Sequence, residues 1–165
     1  MGLPTLRRIG GQVSPPSATA AANARLVRQV IEEIWNGGNL DLADHLFAFD
    51  YFNHGGLIPD LVRGPEAIKI SVVMYRTAFP SFRVAIVDLL AQGSIVALHW
   101  VAHSTSTRNS VNDQRSGEPQ SDTLSGMMFA RLSAGVIQES WLCWESRGGQ
   151  ARVFEQDVRA LANSR

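Results

Sequence analysis

The strongest constraint on the fold of this 165-residue chain is a change in the period of its apolar residues at Phe82. Before Phe82, apolar side chains recur every three or four residues, which predicts amphipathic helices. After it they alternate with polar side chains, which predicts strands. Helices that precede a run of strands favour an α+β domain with an antiparallel sheet, and not repeated βαβ units.

Capping and breaking residues divide the helical half into three segments. The apolar residues of Asn23–Asn36 share one helical face, and Gly37-Gly38 ends that helix. Asn39 is suited to cap a short second helix that extends to Phe47. Pro65 is suited to the first turn of a third helix.

The second half predicts two pairs of strands, each joined by a turn that contains glycine. The predicted strands are Arg83–Ala91, Ser94–Thr105, Leu124–Leu132 and Val136–Glu145. Between the pairs, residues 106–122 are polar and without a pattern, which indicates a functional flap or a disordered hairpin tip. Residues 150–162 predict a closing helix.

The two ends of the chain differ in character. Residues 1–22 are rich in Gly, Pro, Ser and Ala and lack a continuous apolar run, so we expect a mobile tail without a secretion signal. Residues 23–165 are then a single domain. No apolar run is long enough to span a bilayer, and a cytoplasmic location is the default expectation.

Charge and ligand spacing exclude several classes of partner. Acidic and basic residues balance at 15 each, so the electrostatic footprint of a nucleic-acid-binding protein is missing. His99 and His103 share one face of a strand, but two histidines without a third ligand do not predict a metal site. The single cysteine, Cys143, has no cationic neighbour in sequence that would favour a nucleophilic thiolate.

Seven segments, in the same order, resemble the SnoaL-like polyketide cyclases of the ketosteroid-isomerase and nuclear-transport-factor superfamily, and together they cover roughly residues 23–145. They are Ile34–Gly38, Asp50–Gly55, Arg63–Glu66, Ala78–Pro80, Val96–Trp100, Gly126–Arg131 and Gly135–Trp141. The resemblance implies a cone-shaped barrel in which a curved antiparallel sheet wraps around the N-terminal helices. It also implies ring closure of a polyketide ester in an apolar pocket, without a metal or an organic cofactor.

The same resemblance suggests the residues that contact the substrate. Tyr51 and Asn53 resemble the Tyr-x-Asn pair with which limonene epoxide hydrolases hold a water molecule, and Asn53 also matches a pocket residue of the cyclases. Leu142 stands where the cyclases carry a pocket aspartate, and Met128 stands where they carry a histidine. The arginine of the epoxide hydrolases would fall near Trp100.

Glu145 is the preferred candidate for the general acid or base. It ends an apolar strand beside Trp144, where partial burial would raise the pKa of a carboxyl group, and many relatives carry an aspartate there. It is otherwise a solvated strand-end carboxylate or a partner of Arg147. Strand alternation also places it on the face opposite Leu142 unless a bulge intervenes.

His54 is the second catalytic candidate, because an imidazole near a pocket carboxylate can exchange a proton at neutral pH. The alternative is that its ring braces the adjacent glycine turn.

These observations predict a cofactor-independent cyclase, or a related lyase or isomerase, for a hydrophobic polyketide-like or epoxide-bearing intermediate of natural-product (antibiotic) biosynthesis. Glu145 and His54 would transfer protons; the substrate-binding residues would be Tyr51, Asn53, Trp100, Met128, Leu142 and Trp144. The alternative is a non-catalytic binding or assembly module on the same fold. We also expect a homodimer, because His99, Val101 and His103 share a face too apolar to be fully solvated.

Overall fold

The computed structural model describes residues 17–55, 62–79, 81–106 and 120–145. Helix α1 spans Ala18–Gln29 and continues as a wider π-helical stretch, Val30–Asn36. Ser17 caps α1, since its hydroxyl oxygen accepts a hydrogen bond from the backbone N–H of Ala20 at 3.2 Å. Ala20 is only 1% exposed, so the domain begins before the predicted residue 23. The rest of the predicted tail, residues 1–16, lies outside the described residues.

The segment after α1 differs from the prediction. A 3₁₀ turn, Leu40–Leu42, leads into the one-turn helix α2, Ala43–Leu46, and the side chain of Asn39 makes no capping hydrogen bond. Strand β1 then spans Phe47–His54 and adds a strand that the sequence pattern did not predict. Helix α3, Pro65–Ala78, confirms the third predicted helix and has its proline in the first turn.

The four predicted strands are all present. They are β2, Arg83–Gln92; β3, Ile95–Ser106; β4, Gln120–Ser133; and β5, Val136–Glu145. The pairing of β3 with β4 continues to Ser106 opposite Gln120, so both strands extend into the segment predicted to be unpatterned. Residues 107–119 and the predicted helix over 150–162 lie outside the described residues.

The sheet is mixed and open. Its strand order is β1-β5-β4-β3-β2, and β1 runs parallel to β5 while the other neighbours are antiparallel. The prediction of an α+β fold is therefore confirmed, with two corrections: the sheet is not purely antiparallel, and it does not close. The parallel pair arises because β1 enters the sheet from the helical half, beside the last strand and not beside its neighbour in sequence.

A bulge in β5 decides which of its residues face the helices. Arg131 pairs with Glu139, but the next residue, Leu132, pairs with Ile137, so one residue of β5, Gln138, is unmatched. The extra residue reverses the alternation of side chains. Ser140 and Leu142 consequently share the concave face with Ile137.

The helices pack on this concave face and are fastened at their ends. The Asn36 side chain donates to the carbonyl oxygen of Val84 at 2.9 Å and accepts from its N–H at 2.8 Å, which ties the end of the π-helical stretch to β2. The convex face leaves large apolar side chains exposed, among them Met127 and Phe129. None of the helices in the described ranges has the length and apolarity needed to cross a membrane.

Candidate functional site

A cavity lies between the helices and the concave face of the sheet. Together with the open solvent at its mouth, it spans about 730 Å³ that no protein atom occupies. Most of its wall is apolar. The described lining residues are Val30, Ile31, Trp35, Phe47, Tyr51, Asn53, Ile68, Tyr75, Phe82, Val84, Leu98, Trp100, Leu124, Met128, Ala130, Ile137, Ser140 and Leu142.

The structure brings together five of the residues that were predicted to contact a ligand: Tyr51, Asn53, Trp100, Met128 and Leu142. They come from four different strands and meet because alternate residues of each strand face the helices. His99 and His103, by contrast, share one face of β3, as the strand alternation predicted; this is the convex face, where His103 is exposed. The ligand contacts of the five remain predictions.

His54, the second catalytic candidate, lies outside the described lining of this cavity. Its ring stacks on that of Trp141 with the centroids 4.7 Å apart, and its Nε2 is 3.6 Å from a carboxylate oxygen of Glu139. The physical reason is the alternation of β1, which sends adjacent residues to opposite faces of the sheet. The position of His54 therefore gives no support to a proton transfer in the cavity.

Glu145 and Trp144 are the last two residues of β5, and their side chains lie outside the described part of the structure. The backbone ladder shows that Leu142 pairs with Met128 and Glu145 with Ser125, without a register shift between them. The bulge that Glu145 would need in order to share the face of Leu142 is therefore absent from that stretch. The roles of both residues stay predictions.

Ser140 is a site residue that the sequence analysis missed. Its Oγ lies 2.6 Å from the phenol oxygen of Tyr51 and donates a hydrogen bond to Asn53 Oδ1 at 3.1 Å. The parallel pairing of β1 with β5 places Asn53 directly opposite Ser140. A serine within an apolar strand was a usable signal, since a buried hydroxyl requires a partner, but the partner depended on a strand pairing that the pattern did not reveal.

The phenol of Tyr51 is held in its neutral form. Burial raises the pKa of Tyr51 to about 12, and the hydrogen bond with Ser140 lowers it by a smaller amount. At neutral pH the phenol therefore keeps its proton and can donate a hydrogen bond. Its ring also packs edge-on against Phe47, with the centroids 4.8 Å apart.

The chemistry that the described lining can offer is limited. It contains no carboxylate, imidazole or ammonium group, and the phenols are its only ionisable groups. Nor do the described residues include a cluster of three or more His, Cys, Asp or Glu side chains suited to a metal ion. Hydrogen bonding from Asn53, Ser140 and Tyr51 is the principal polar interaction that this part of the wall provides.

An open α+β cone whose described residues surround an apolar cavity is typical of domains that bind small molecules. The model of the SnoaL-like polyketide cyclase family matches residues 25–149, and the chain belongs to this family.

Solved structures show the same fold at low sequence identity. A candidate SnoaL-like polyketide cyclase from Jannaschia sp. CCS1 is 16% identical, with a TM-score of 0.65 over 91% of this chain and 99% of that one. A candidate polyketide cyclase from Acidithiobacillus ferrooxidans is 19% identical, with a TM-score of 0.64 over the same shares, 91% and 99%. AclR from Streptomyces galilaeus, a candidate hydroxylase, is 17% identical, with a TM-score of 0.60 over 82% of this chain and 98% of that one.

No curated protein is significantly similar to this chain in sequence. The similar structures carry different activity names, and at these identities they show the fold alone.

Proposed function

We propose that this protein is a cyclase that binds a hydrophobic polyketide-like intermediate in the cavity and promotes its ring closure without an organic cofactor. The observation that carries the proposal is the hydrogen-bonded cluster of Tyr51, Ser140 and Asn53 in a described lining that is mostly apolar. An apolar wall favours a hydrophobic ligand, and one polar group fixes its orientation.

The cavity favours ring closure in two ways. An apolar enclosure holds a flexible chain in a compact conformation, so that two reacting carbons of one molecule stay close and part of the entropic barrier is removed in advance. The Asn53 carboxamide lies in a wall with few other polar groups, where a hydrogen bond to an oxygen that gains negative charge is stronger than in water. The oxygen of the enolate that forms during an aldol-type closure gains such a charge.

The proton transfers of an aldol-type closure need an acid and a base. The described lining supplies neither a carboxylate nor an imidazole, and Glu145, whose side chain is not described, remains the residue that we propose for this role. Because the register of β5 places it on the face opposite Leu142, its carboxyl group would have to reach the cavity around the end of the strand. Proton abstraction by Glu145 next to a carbonyl group would leave the enolate to be stabilised by Asn53.

A second candidate function is a non-catalytic carrier or assembly module for the same class of molecule. The absence of carboxylates and imidazoles from the described lining favours it. The two functions predict the same ligand and differ only in whether the ligand is converted.

Deletion of the gene in the source organism distinguishes them. A cyclase mutant accumulates an uncyclised compound, equal in mass to the ring product or heavier by one water, and purified protein converts that compound in vitro. A carrier mutant makes less of the final product without a new intermediate. Conversion that is undiminished in an Asn53→Leu protein would remove Asn53 from the mechanism, and the absence of any accumulated compound would contradict the cyclase.

A further inference from the structure

We infer that Ser140 is a positioning residue that, together with Tyr51, holds the Asn53 carboxamide with its N–H groups towards the ligand, so that the site selects a carbonyl oxygen. This inference rests on the proposed function only in taking the cavity as the ligand site. It names the group of the substrate that the polar end of the cavity binds. This selection depends on which atoms of the three side chains hold protons.

The burial of Tyr51 determines which atom donates in its hydrogen bond with Ser140. This residue is 1% exposed, and its phenol oxygen lies 2.6 Å from Ser140 Oγ. A neutral buried phenol has one proton and must donate it to an acceptor. Among the described residues, Ser140 Oγ is the acceptor that the phenol contacts.

Because Ser140 accepts the proton of Tyr51, its own hydroxyl proton is free to be donated to Asn53. A serine hydroxyl has one proton, and Ser140 donates it to Asn53 Oδ1 at 3.1 Å. In the reversed arrangement, Asn53 would donate to Ser140 and Ser140 would donate to Tyr51. That arrangement would leave the buried proton of Tyr51 without an acceptor among the described residues. An unsatisfied buried donor costs free energy, so the first arrangement is the more stable one.

Asn53 consequently presents its two Nδ2–H donors to the cavity. Asn53 is one of the residues that line the cavity, and its Nδ2 atom donates to no described residue and is not fully buried without a partner. A primary amide with its oxygen already engaged offers only donors. The complementary ligand group in an apolar site is a carbonyl oxygen, or the enolate formed from it.

Two probes of matched shape test this selection. 2-Acetylnaphthalene carries a carbonyl group, and 2-isopropenylnaphthalene replaces the carbonyl oxygen with a CH₂ group. The measured quantity is the ratio of the Kd of the alkene to the Kd of the ketone for each protein variant. The different solubility of the probes in water cancels when this ratio is compared between variants.

We expect the ratio to fall about fivefold in Asn53→Leu, the usual scale of one net hydrogen bond. In Ser140→Ala it should fall at least about twofold, because the carboxamide can then rotate, whereas Ser140→Thr keeps the hydroxyl group and should retain the wild-type ratio. An Asn53→Leu protein with the wild-type ratio would overturn the selection of a carbonyl oxygen. A Ser140→Ala protein with the wild-type ratio would overturn the positioning role.

The wild-type protein provides a test that needs no variant to fold. In NMR spectra with 2-acetylnaphthalene bound, the Asn53 side-chain NH₂ protons should show nuclear Overhauser effects to the acetyl methyl group and not to the β-protons of Ser140. The opposite pattern would overturn the inference. Neither experiment requires turnover. If the metabolic experiment shows no ring-closing activity, the selection of a carbonyl oxygen still stands. If the binding and NMR experiments fail, the cyclase proposal still stands.

Discussion

Trp100 of β3 lies directly opposite Gly126 of β4, and its indole ring occupies the space that a side chain at position 126 would need. A Cβ atom at that position would come within 2.6 Å of Trp100 Cζ2 and 2.4 Å of the carbonyl oxygen of Cys143. The glycine therefore allows an aromatic ring to lie across the neighbouring strand and to form part of the cavity wall.

Gly126→Ala should weaken both the fold and the cavity. Because the new methyl group meets a ring and a backbone oxygen, we expect a loss of about 1–3 kcal/mol in the free energy of unfolding, the usual cost of overpacking. Urea unfolding measures this loss, and binding of a fluorescent naphthalene ligand reports the cavity. Ser133→Ala, at the exposed end of β4, is the control. Wild-type stability in Gly126→Ala would show that Trp100 moves without cost.

Tyr51 should make the fold sensitive to alkaline pH. Since burial raises the pKa of Tyr51 to about 12, above the value of about 10 for an exposed tyrosine, the unfolded chain loses the phenol proton first. The protonated phenol therefore contributes up to roughly 3 kcal/mol to the free energy of unfolding relative to high pH. This contribution is complete below pH 10 and is lost as the pH rises towards 12. Urea unfolding between pH 8 and pH 11.5 should therefore show a steeper loss for wild type than for Tyr51→Phe. Equal slopes would contradict the burial of this phenol.

Glu145→Gln should lower turnover of the accumulated substrate by about 100-fold if Glu145 is the general acid or base, since the amide keeps the shape and cannot titrate. Glu145→Asp should retain part of the activity. Steady-state rates, with circular dichroism to verify folding, provide the measurement. A fully active Glu145→Gln protein would exclude this residue from proton transfer.

His54→Ala should act on stability and not on turnover. The histidine stacks on Trp141 outside the described cavity lining, so its removal should cost about 0.5–1.5 kcal/mol through the lost ring contact. We expect turnover to stay within about twofold of wild type, with the same substrate and assay as for Glu145. A drop of 100-fold in a folded His54→Ala protein would restore the catalytic role predicted from sequence.

The convex face of the sheet should form a homodimer interface. Met127 and Phe129 are adjacent on this face and are 56% and 49% exposed, and an exposed apolar surface of this kind is typical of an interaction site. Light scattering should report a dimer at micromolar concentration. Phe129→Lys should shift the population towards monomer, whereas Ser133→Lys at the β4–β5 turn should not. A wild-type monomer would refute the interface.

The sequence by itself determined the elements that depend on local pattern. The third helix follows from Pro65 and its periodic apolar residues, and the strand pairs follow from alternation interrupted at glycine turns. The resemblance of ordered segments supplied the family, and it selected Tyr51 and Asn53. Both residues line the cavity, although their contacts with a ligand are still to be measured.

Only the tertiary structure decided which side chains meet. The parallel pairing of β1 with β5 joins residues that lie almost 90 positions apart, and it is this pairing that places Ser140 beside Asn53. The bulge at Gln138 turns Ser140 towards the cavity, and the alternation of β1 turns His54 away from it. Because a strand exposes alternate residues to opposite faces, a shift of one residue in a distant pairing reverses every assignment along it, and no local pattern records that shift.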